Sequence, residues 1–158
     1  CYKNAEENSN PEITVKIIHF KNFDLYLGDP PTQFISDEDR ARWCEALRSG
    51  RYAQGRALLR DFYDNYCCLG VQCELENMSW TQALTAPGWE ARNSINLYNG
   101  RLPIGHRGMF PVGTFVQGHG LIVQYKSLTV CNDVGMTFSE IADIIDTIWN
   151  PKSYEPTI

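Results

Sequence analysis

The stretch from Thr137 to Ile148 constrains this chain more than any other. Ile141, Ile144, Ile145 and Ile148 recur at three- and four-residue intervals, so a helix there carries one apolar stripe that has to be buried. Thr137 and Glu140 stand at the capping-box positions, Met136 can pack on Ile141 as a hydrophobic staple, and Pro151 ends the run. The spacing predicts an amphipathic helix over 138–149 whose main work is closing a core.

Two further helices follow from local signals. Ser36 can cap a helix over 37–49, with Asp39 at the reciprocal position and Asp37, Glu38 and Asp39 at its positive end. Trp43, Ala46 and Leu47 give its apolar face, and Gly50 its permissive exit. In Tyr66-Cys67-Cys68-Leu69-Gly70-Val71-Gln72-Cys73-Glu74-Leu75, residues Cys68, Val71, Gln72 and Leu75 keep a helical rhythm, which predicts a short helix over 68–76. Gly70 weakens that helix, and is tolerable if another backbone lies against it.

Strand signals are shorter. Ile13 to Phe20 and Phe23 to Leu27 read as a strand pair turning at Lys21-Asn22 and ending at Gly28-Asp29-Pro30-Pro31. Leu121 to Tyr125 and Leu128 to Cys131 read as two strands around Lys126-Ser127. Between them, 77–120 is rich in Gly and Pro, with Trp80, Trp89, Leu97, Tyr98 and Phe110 too irregular for a long helix or a sustained strand. The expectation is therefore a small mixed α+β domain with three main helices and short β-hairpins. It divides into an N-terminal extension with strands over 1–35, a compact domain over 36–150 and a tail over 151–158.

A chain of 158 residues with 43% apolar content supports one real core rather than several domains. The net charge of -5 disfavours a general grip on nucleic-acid phosphates, and no stretch approaches the roughly twenty apolar residues that span a bilayer. The first residue, Cys1, suits a processed or trimmed chain. The six cysteines, Cys1, Cys44, Cys67, Cys68, Cys73 and Cys131, are too few for a disulfide-dense scaffold and read as reduced, mostly buried thiols.

Three blocks carry a resemblance: Trp43-x-x-Ala46-Leu47-Arg48-Ser49-Gly50-Arg51-Tyr52-x-Gln54-Gly55-Arg56; Tyr66-Cys67-Cys68-Leu69-Gly70-Val71-x-Cys73-Glu74-Leu75; and Asn132-Asp133-x-Gly135-x-Thr137-Phe138-x-Glu140-Ile141-Ala142-Asp143-Ile144-Ile145. In combination they resemble a widespread family of small tailed-phage and prophage proteins of unassigned activity. The likeness covers about 40–75 and 128–149, with Leu102-Pro103 as a shorter match. It implies a phage origin, a location in the host cytoplasm or a virion, and a shared fold unit, and supplies no catalytic residues. The segment before the first helix and the longer centre depart from the family's compact form, and Cys131 stands where relatives carry leucine.

An enzyme reading assembles Cys67 or Cys68 as nucleophile at a helix start, His106 or His119 as base, and Asn132 or Asp133 as orienting group. The local sequences around known cysteine nucleophiles are absent, so cysteine-dependent hydrolysis is an alternative and buried structural cysteine the leading reading. Cys67, Cys68, Cys73 and Cys131, with His19, His106 or His119, lack the paired spacing of structural zinc sites, and neither metal nor cofactor is expected. Gly105, Gly108, Gly113, Gly118 and Gly120 do not form a phosphate cradle. Arg40, Arg42, Arg48, Arg51, Arg56 and Arg60, with Tyr52, concentrate positive charge, which suits a solvated or protein-binding face better than nucleic acid.

The functional expectation is a phage accessory protein that binds a phage or bacterial host protein, with a virion structural or assembly component as the alternative. Homo-oligomers or virion subunits are further partners to weigh. The early strands offer a route, since an edge strand can pair with another chain while its aromatic residues dock in pockets. Phe20, Phe23, Tyr26, Arg48 and Arg51 are the interface candidates.

Overall fold

The structure, a computed structural model, describes residues 16–91 and 108–156. Expectations placed on Ile13, Val15, Cys1, Leu97, Tyr98, Leu102-Pro103, Gly105 and His106 lie outside the described residues. Four α-helices and two small sheets make up the described fold, an α+β arrangement. In chain order these are β1 (Lys16–His19), β2 (Phe23–Leu27), α1 (Asp37–Arg48), β3 (Ala53–Gln54), β4 (Arg60–Asp61), β5 (Asn65–Tyr66), α2 (Cys68–Leu75), β6 (Trp80–Gln82), β7 (Gly88–Ala91), β8 (Phe115–Gly118), β9 (Gln124–Tyr125), α3 (Leu128–Asp133) and α4 (Phe138–Ile148). A 3₁₀ turn at Pro151–Tyr154 follows.

The isoleucine stripe behaves as its spacing dictates. Ile141, Ile144, Ile145 and Ile148 are fully buried, and the capping box is complete, with Thr137 Oγ1 accepting from Glu140 N and Glu140 Oε1 accepting from Thr137 N. Each such side chain contributes on the order of 1.5–3 kcal/mol relative to an exposed one. Helix α1 packs along α4 and is started by Ser36, whose Oγ accepts from Asp39 N at 3.1 Å. Arg48 fastens the pair from outside through Asp143 at 2.7 Å and Asp146 at 3.1 Å. Arg40 does so from inside, donating to the carbonyls of Ile35 and Trp149, so its charge sits at the negative end of α4.

Gly70 is the reason α2 lies where it does. A Cβ on Gly70 would stand 1.8 Å from the Leu59 carbonyl oxygen, the same oxygen that accepts from Cys67 N at 3.2 Å. The helix therefore starts flush against the Leu59 backbone, and Trp43 Nε1 reaches across from α1 to donate to Cys68 O at 3.1 Å.

The four-stranded sheet has the order β1-β2-β8-β9 and is antiparallel throughout. Strand alternation sends Phe23, Leu25 and Leu27 into the core, with Leu25 opposite buried Val116, and sends Asp24 and Tyr26 outward. The hairpin that the sequence places in an extension is thus hydrogen-bonded into this sheet. The five-stranded sheet, β3-β5-β4-β7-β6, is built of strands two to four residues long, with only β3 and β5 parallel. It occupies part of the centre that the sequence leaves without sustained strands.

One element differs in kind. Leu128 to Cys131, expected as a strand, is the first part of α3. Ser127 is its N-cap rather than a hairpin turn, its Oγ accepting from Val130 N at 3.2 Å, and burial of Leu128 and Cys131 three residues apart outweighs the β-propensity of Thr129 and Val130. Of the expected strand 121–125, only Gln124–Tyr125 pairs in the sheet.

Candidate protein-binding face

The outer face of the four-stranded sheet is built by strand register. Ile17, Tyr26 and Phe115 stand side by side across β1, β2 and β8, with the Tyr26 and Phe115 rings stacked at 4.4 Å. His19, Asp24, Gln117 and Gln124 form the next row on the same face. One carboxylate oxygen, Asp24 Oδ1, accepts from His19 Nδ1 at 2.9 Å and from His119 Nε2 at 3.0 Å, tying β1 and the β8–β9 turn to β2. These bonds, that from His19 first, hold the Asp24 carboxyl below its ordinary range.

The β8–β9 turn, at the margin of the sheet away from β1, is apolar. Leu121, Ile122 and Val123 are consecutive and exposed, Ile122 to 90%, and Gln117 Nε2 donates to the Leu121 carbonyl. Leu121 also borders a small cleft of 170 Å³ with Phe23, Val134, Met136 and Glu140. At the opposite margin β1 has β2 on one side, and no described strand pairs with its other edge. A sheet edge beside exposed apolar side chains is the arrangement that accepts a strand from another chain.

The interface candidates fall on both sides of this surface. Tyr26 lies on it. Phe20 is half-buried and stacks on Phe23 at 4.7 Å. Phe23 is a correction: it is 2% exposed, because alternation points it inward with Leu25 and Leu27, so it supports the face without being available to a partner. Arg48 braces α1 against α4, and Arg51 is bonded to Glu45 at 3.2 Å. The wider arginine cluster is similarly engaged: Arg42 pairs with Asp39 and Glu76, Arg60 with Asp64, and Arg40 is buried. Compensation by carboxylates, some within one helical turn and some across the fold, removes most of the basic face that composition suggested.

The enzyme constellation is not assembled among the described residues. Cys67 and Asp133 border one groove of 530 Å³ with Ala57, Leu58, Leu59, Leu69, Thr129 and Val130, and no histidine is among its described lining residues. His119 is held by Asp24 on the four-stranded sheet. Asn132 is fully buried, its Oδ1 accepting from Gln54 Nε2 at 2.9 Å and its Nδ2 donating to Gly55 O at 2.8 Å; Asp133 Oδ1 accepts from Ala57 N at 2.9 Å. Burial raises the Cys67 thiol pKa in spite of the amides of Gly70 and Leu69 at the helix start, and raises that of Cys68 further. A thiolate nucleophile needs the opposite shift. Cys44, Cys73 and Cys131 are also buried and free. Among the described residues no group of three or more His, Cys, Asp or Glu side chains is placed to hold a metal ion.

Sequence reasoning missed Leu121–Val123 as a surface, because three apolar residues before a polar one read equally well as a buried strand. The Asp24 clamp was also missed, since His19 and His119 are far apart in sequence.

The comparisons extend to one segment. A family model described as a domain of unknown function (DUF8296) matches residues 35–99, a span that starts at the residue before the α1 cap and includes β7. No curated protein and no solved structure matches the chain. Among the described residues no helix is long and apolar enough to cross a membrane.

Proposed function

We propose that this chain is a binding protein that takes a strand of a phage or bacterial host protein onto the open edge of β1 and the outer face of the four-stranded sheet. The observation that carries the reading is that no described strand covers the outer edge of β1, whose exposed Ile17 stands beside the stacked Tyr26–Phe115 pair, while a separate exposed apolar run, Leu121–Val123, lies at the far margin of the same sheet. Backbone pairing at an edge supplies affinity without a dedicated motif, and apolar side chains alongside supply selectivity. The phage assignment of the partner rests on the resemblance of the three sequence blocks, whose residues the fold spends on packing and on the Gln54–Asn132 clamp.

The test is affinity purification from phage-infected cells with the full chain and with an Ile17→Asp, Ile122→Asp variant, quantified by mass spectrometry. One phage or host protein enriched by the unaltered chain and lost with the folded variant is the expected result. Equal enrichment by both removes this face as the binding surface. Recovery of assembled particles containing many copies of the chain would assign it to a virion.

A further inference from the structure

The end of the five-stranded sheet holds a second feature, separate from the face just described. Arg60 extends from β4 so that its guanidinium carbon lies 5.6 Å from the centre of the Tyr66 ring, 5.4 Å from that of Trp80 and 5.5 Å from that of Trp89. Three aromatic rings from three other strands thus surround one cation. Gly88 permits this, since a Cβ there would stand 2.5 Å from Arg60 O and force β7 away from β4. Ring faces carry negative potential, so such a cage favours a weakly hydrated planar cation over neutral groups.

The resident cation is held at the rim rather than sealed in. Its Nε donates to Asp64 Oδ1 at 2.9 Å, but the Asp64 side chain is mostly exposed and sits on a turn. That turn is preformed: Asp61 accepts from Tyr63 N, Asn65 N and Asn65 Nδ2. Because Asp61 pairs with Gly88 in antiparallel register, the β4–β5 turn and the β6–β7 turn meet at the same end of the sheet. They leave large apolar side chains in solvent beside the cage, Phe62 at 44%, Tyr63 at 88% and Leu84 at 97% exposure, and Phe62 packs edge-on against Trp89 at 5.6 Å. Residues 61–64 and 83–87 include two aspartates and no lysine or arginine. The Nε1 of Trp89 is buried and has no hydrogen-bond partner among the described residues.

From this placement we propose that Tyr66, Trp80 and Trp89 form an arginine-recognition cage, which Arg60 occupies in the isolated chain and which the arginine of a partner peptide takes over. The exchange replaces one guanidinium at the rings by another, against a tethered competitor at high effective concentration. Asp64 is free to pair with either, and the partner's flanking apolar residues gain contact with Tyr63 and Leu84. Arg60 is then a tethered occupant that sets a threshold for binding. The acidic rim selects a basic segment, and the exposed apolar turns select one with apolar neighbours around its arginine. This inference stands independently of the strand-addition reading, because it concerns the other sheet.

The test uses the full ¹⁵N-labelled chain and two probes, N-acetyl-Leu-Arg-Leu-amide and the same peptide with citrulline, which keeps the shape of arginine and removes its charge. The readouts are the indole N–H resonances of Trp80 and Trp89 and the Nε–H resonance of Arg60. In Arg60→Ala, the arginine peptide is expected to shift both indole signals saturably, at least tenfold more tightly than the citrulline peptide. The unaltered chain is expected to bind at least tenfold more weakly than Arg60→Ala, with the Arg60 Nε–H signal leaving its ring-shielded position in step with the indole shifts. Equal affinity for the two peptides, absence of saturable shifts in folded Arg60→Ala, or binding to the unaltered chain with Arg60 unmoved would each overturn the proposal. If Arg60→Ala does not fold, the unaltered chain decides: displacement of the Arg60 signal supports the cage, and none up to the solubility limit of the peptide refutes it.

Discussion

Gln54 Nε2 donates to Asn132 Oδ1 at 2.9 Å, joining β3 to the end of α3. The same Gln54 nitrogen donates to Met136 O, and its Oε1 accepts from Phe138 N, so one exposed glutamine serves both the α3–α4 connection and the start of α4. Asn132 completes the clamp from inside through Gly55 O. Two of the sequence blocks that carry the phage resemblance therefore meet as a structural joint.

Replacing Asn132 with Ala removes both sides of that joint and leaves buried polar groups unmatched. We expect a loss of about 2 kcal/mol, with Gln54→Ala costing less and the two changes coupled by about 1 kcal/mol in a double-mutant cycle followed by urea unfolding. Strict additivity would show that the two residues act separately.

The glycines offer a sharper contrast. Gly70→Ala forces a methyl group into the Leu59 carbonyl and should cost about 3 kcal/mol or lose the fold. Gly50→Ala meets nothing within 4 Å but sits at φ of 79°, so only a backbone penalty of about 1–2 kcal/mol is expected. Thermal unfolding of the two variants distinguishes a packing constraint from a conformational one.

Arg40 and Arg48 both link α1 to α4, yet the changes should differ in size. Arg40→Ala abandons buried carbonyls of Ile35 and Trp149 and should cost about 3 kcal/mol. Arg48→Ala removes a partly exposed ion pair, and about 0.5–1 kcal/mol is expected, shrinking in high salt. Denaturant midpoints at low and high salt check both.

Stability should fall at both ends of the pH scale. At the acid end, Asp61 is held low first by the amide of Asn65, and Asp24 by His19 and His119. In Glu140, burial raises the pKa but the bonds from Asn22 and Thr137 prevail and lower it. Their folded pKa values lie below the unfolded ones, so this stability is present above the unfolded carboxylate range and is lost as pH falls through the folded values. Asp24→Asn should flatten that decline. At the alkaline end, burial pushes Cys73 and Cys131 up to about 12 from an ordinary 9.0, so stability holds below 9 and is lost as pH rises toward 12. Unfolding midpoints measured across pH 3 to 11 should trace both limbs.

The thiols give an independent reading of burial. Iodoacetamide labelling of the native chain, mapped by mass spectrometry, should leave Cys44, Cys67, Cys68, Cys73 and Cys131 unmodified until denaturant is added. Rapid native modification of Cys67 would return the groove beside Asp133 to consideration as a reactive site.

Helix α4 was legible because its apolar interval, cap and terminating proline agree with one another, and α2 because the need for a neighbouring backbone at Gly70 could be stated in advance. Helix α3 was not, since Leu128–Cys131, with β-branched Thr129 and Val130 at its centre, reads as a strand until Ser127 is recognised as a cap. The five-stranded sheet escaped for a simpler reason: strands of two residues contain no alternation to read. At the candidate face, Phe23 and Tyr26 were named together, although the alternation of β2 puts them on opposite sides, Phe23 inward with Leu25 and Leu27 and Tyr26 outward. The arginines looked like a patch because the reading counted cations without pairing them: Arg40, Arg42 and Arg60 have carboxylates three or four residues away, and Arg48 reaches Asp143 and Asp146 across the fold.

Hydrogen–deuterium exchange of the chain, alone and with the protein recovered from infected cells, tests the binding account most directly. Strand addition predicts slowed amide exchange in Lys16–His19 and through the Leu121–Tyr125 turn, with Cys67–Leu75 unchanged. Protection confined to Ala57–Leu69 and α3, with β1 still exchanging freely, would contradict it.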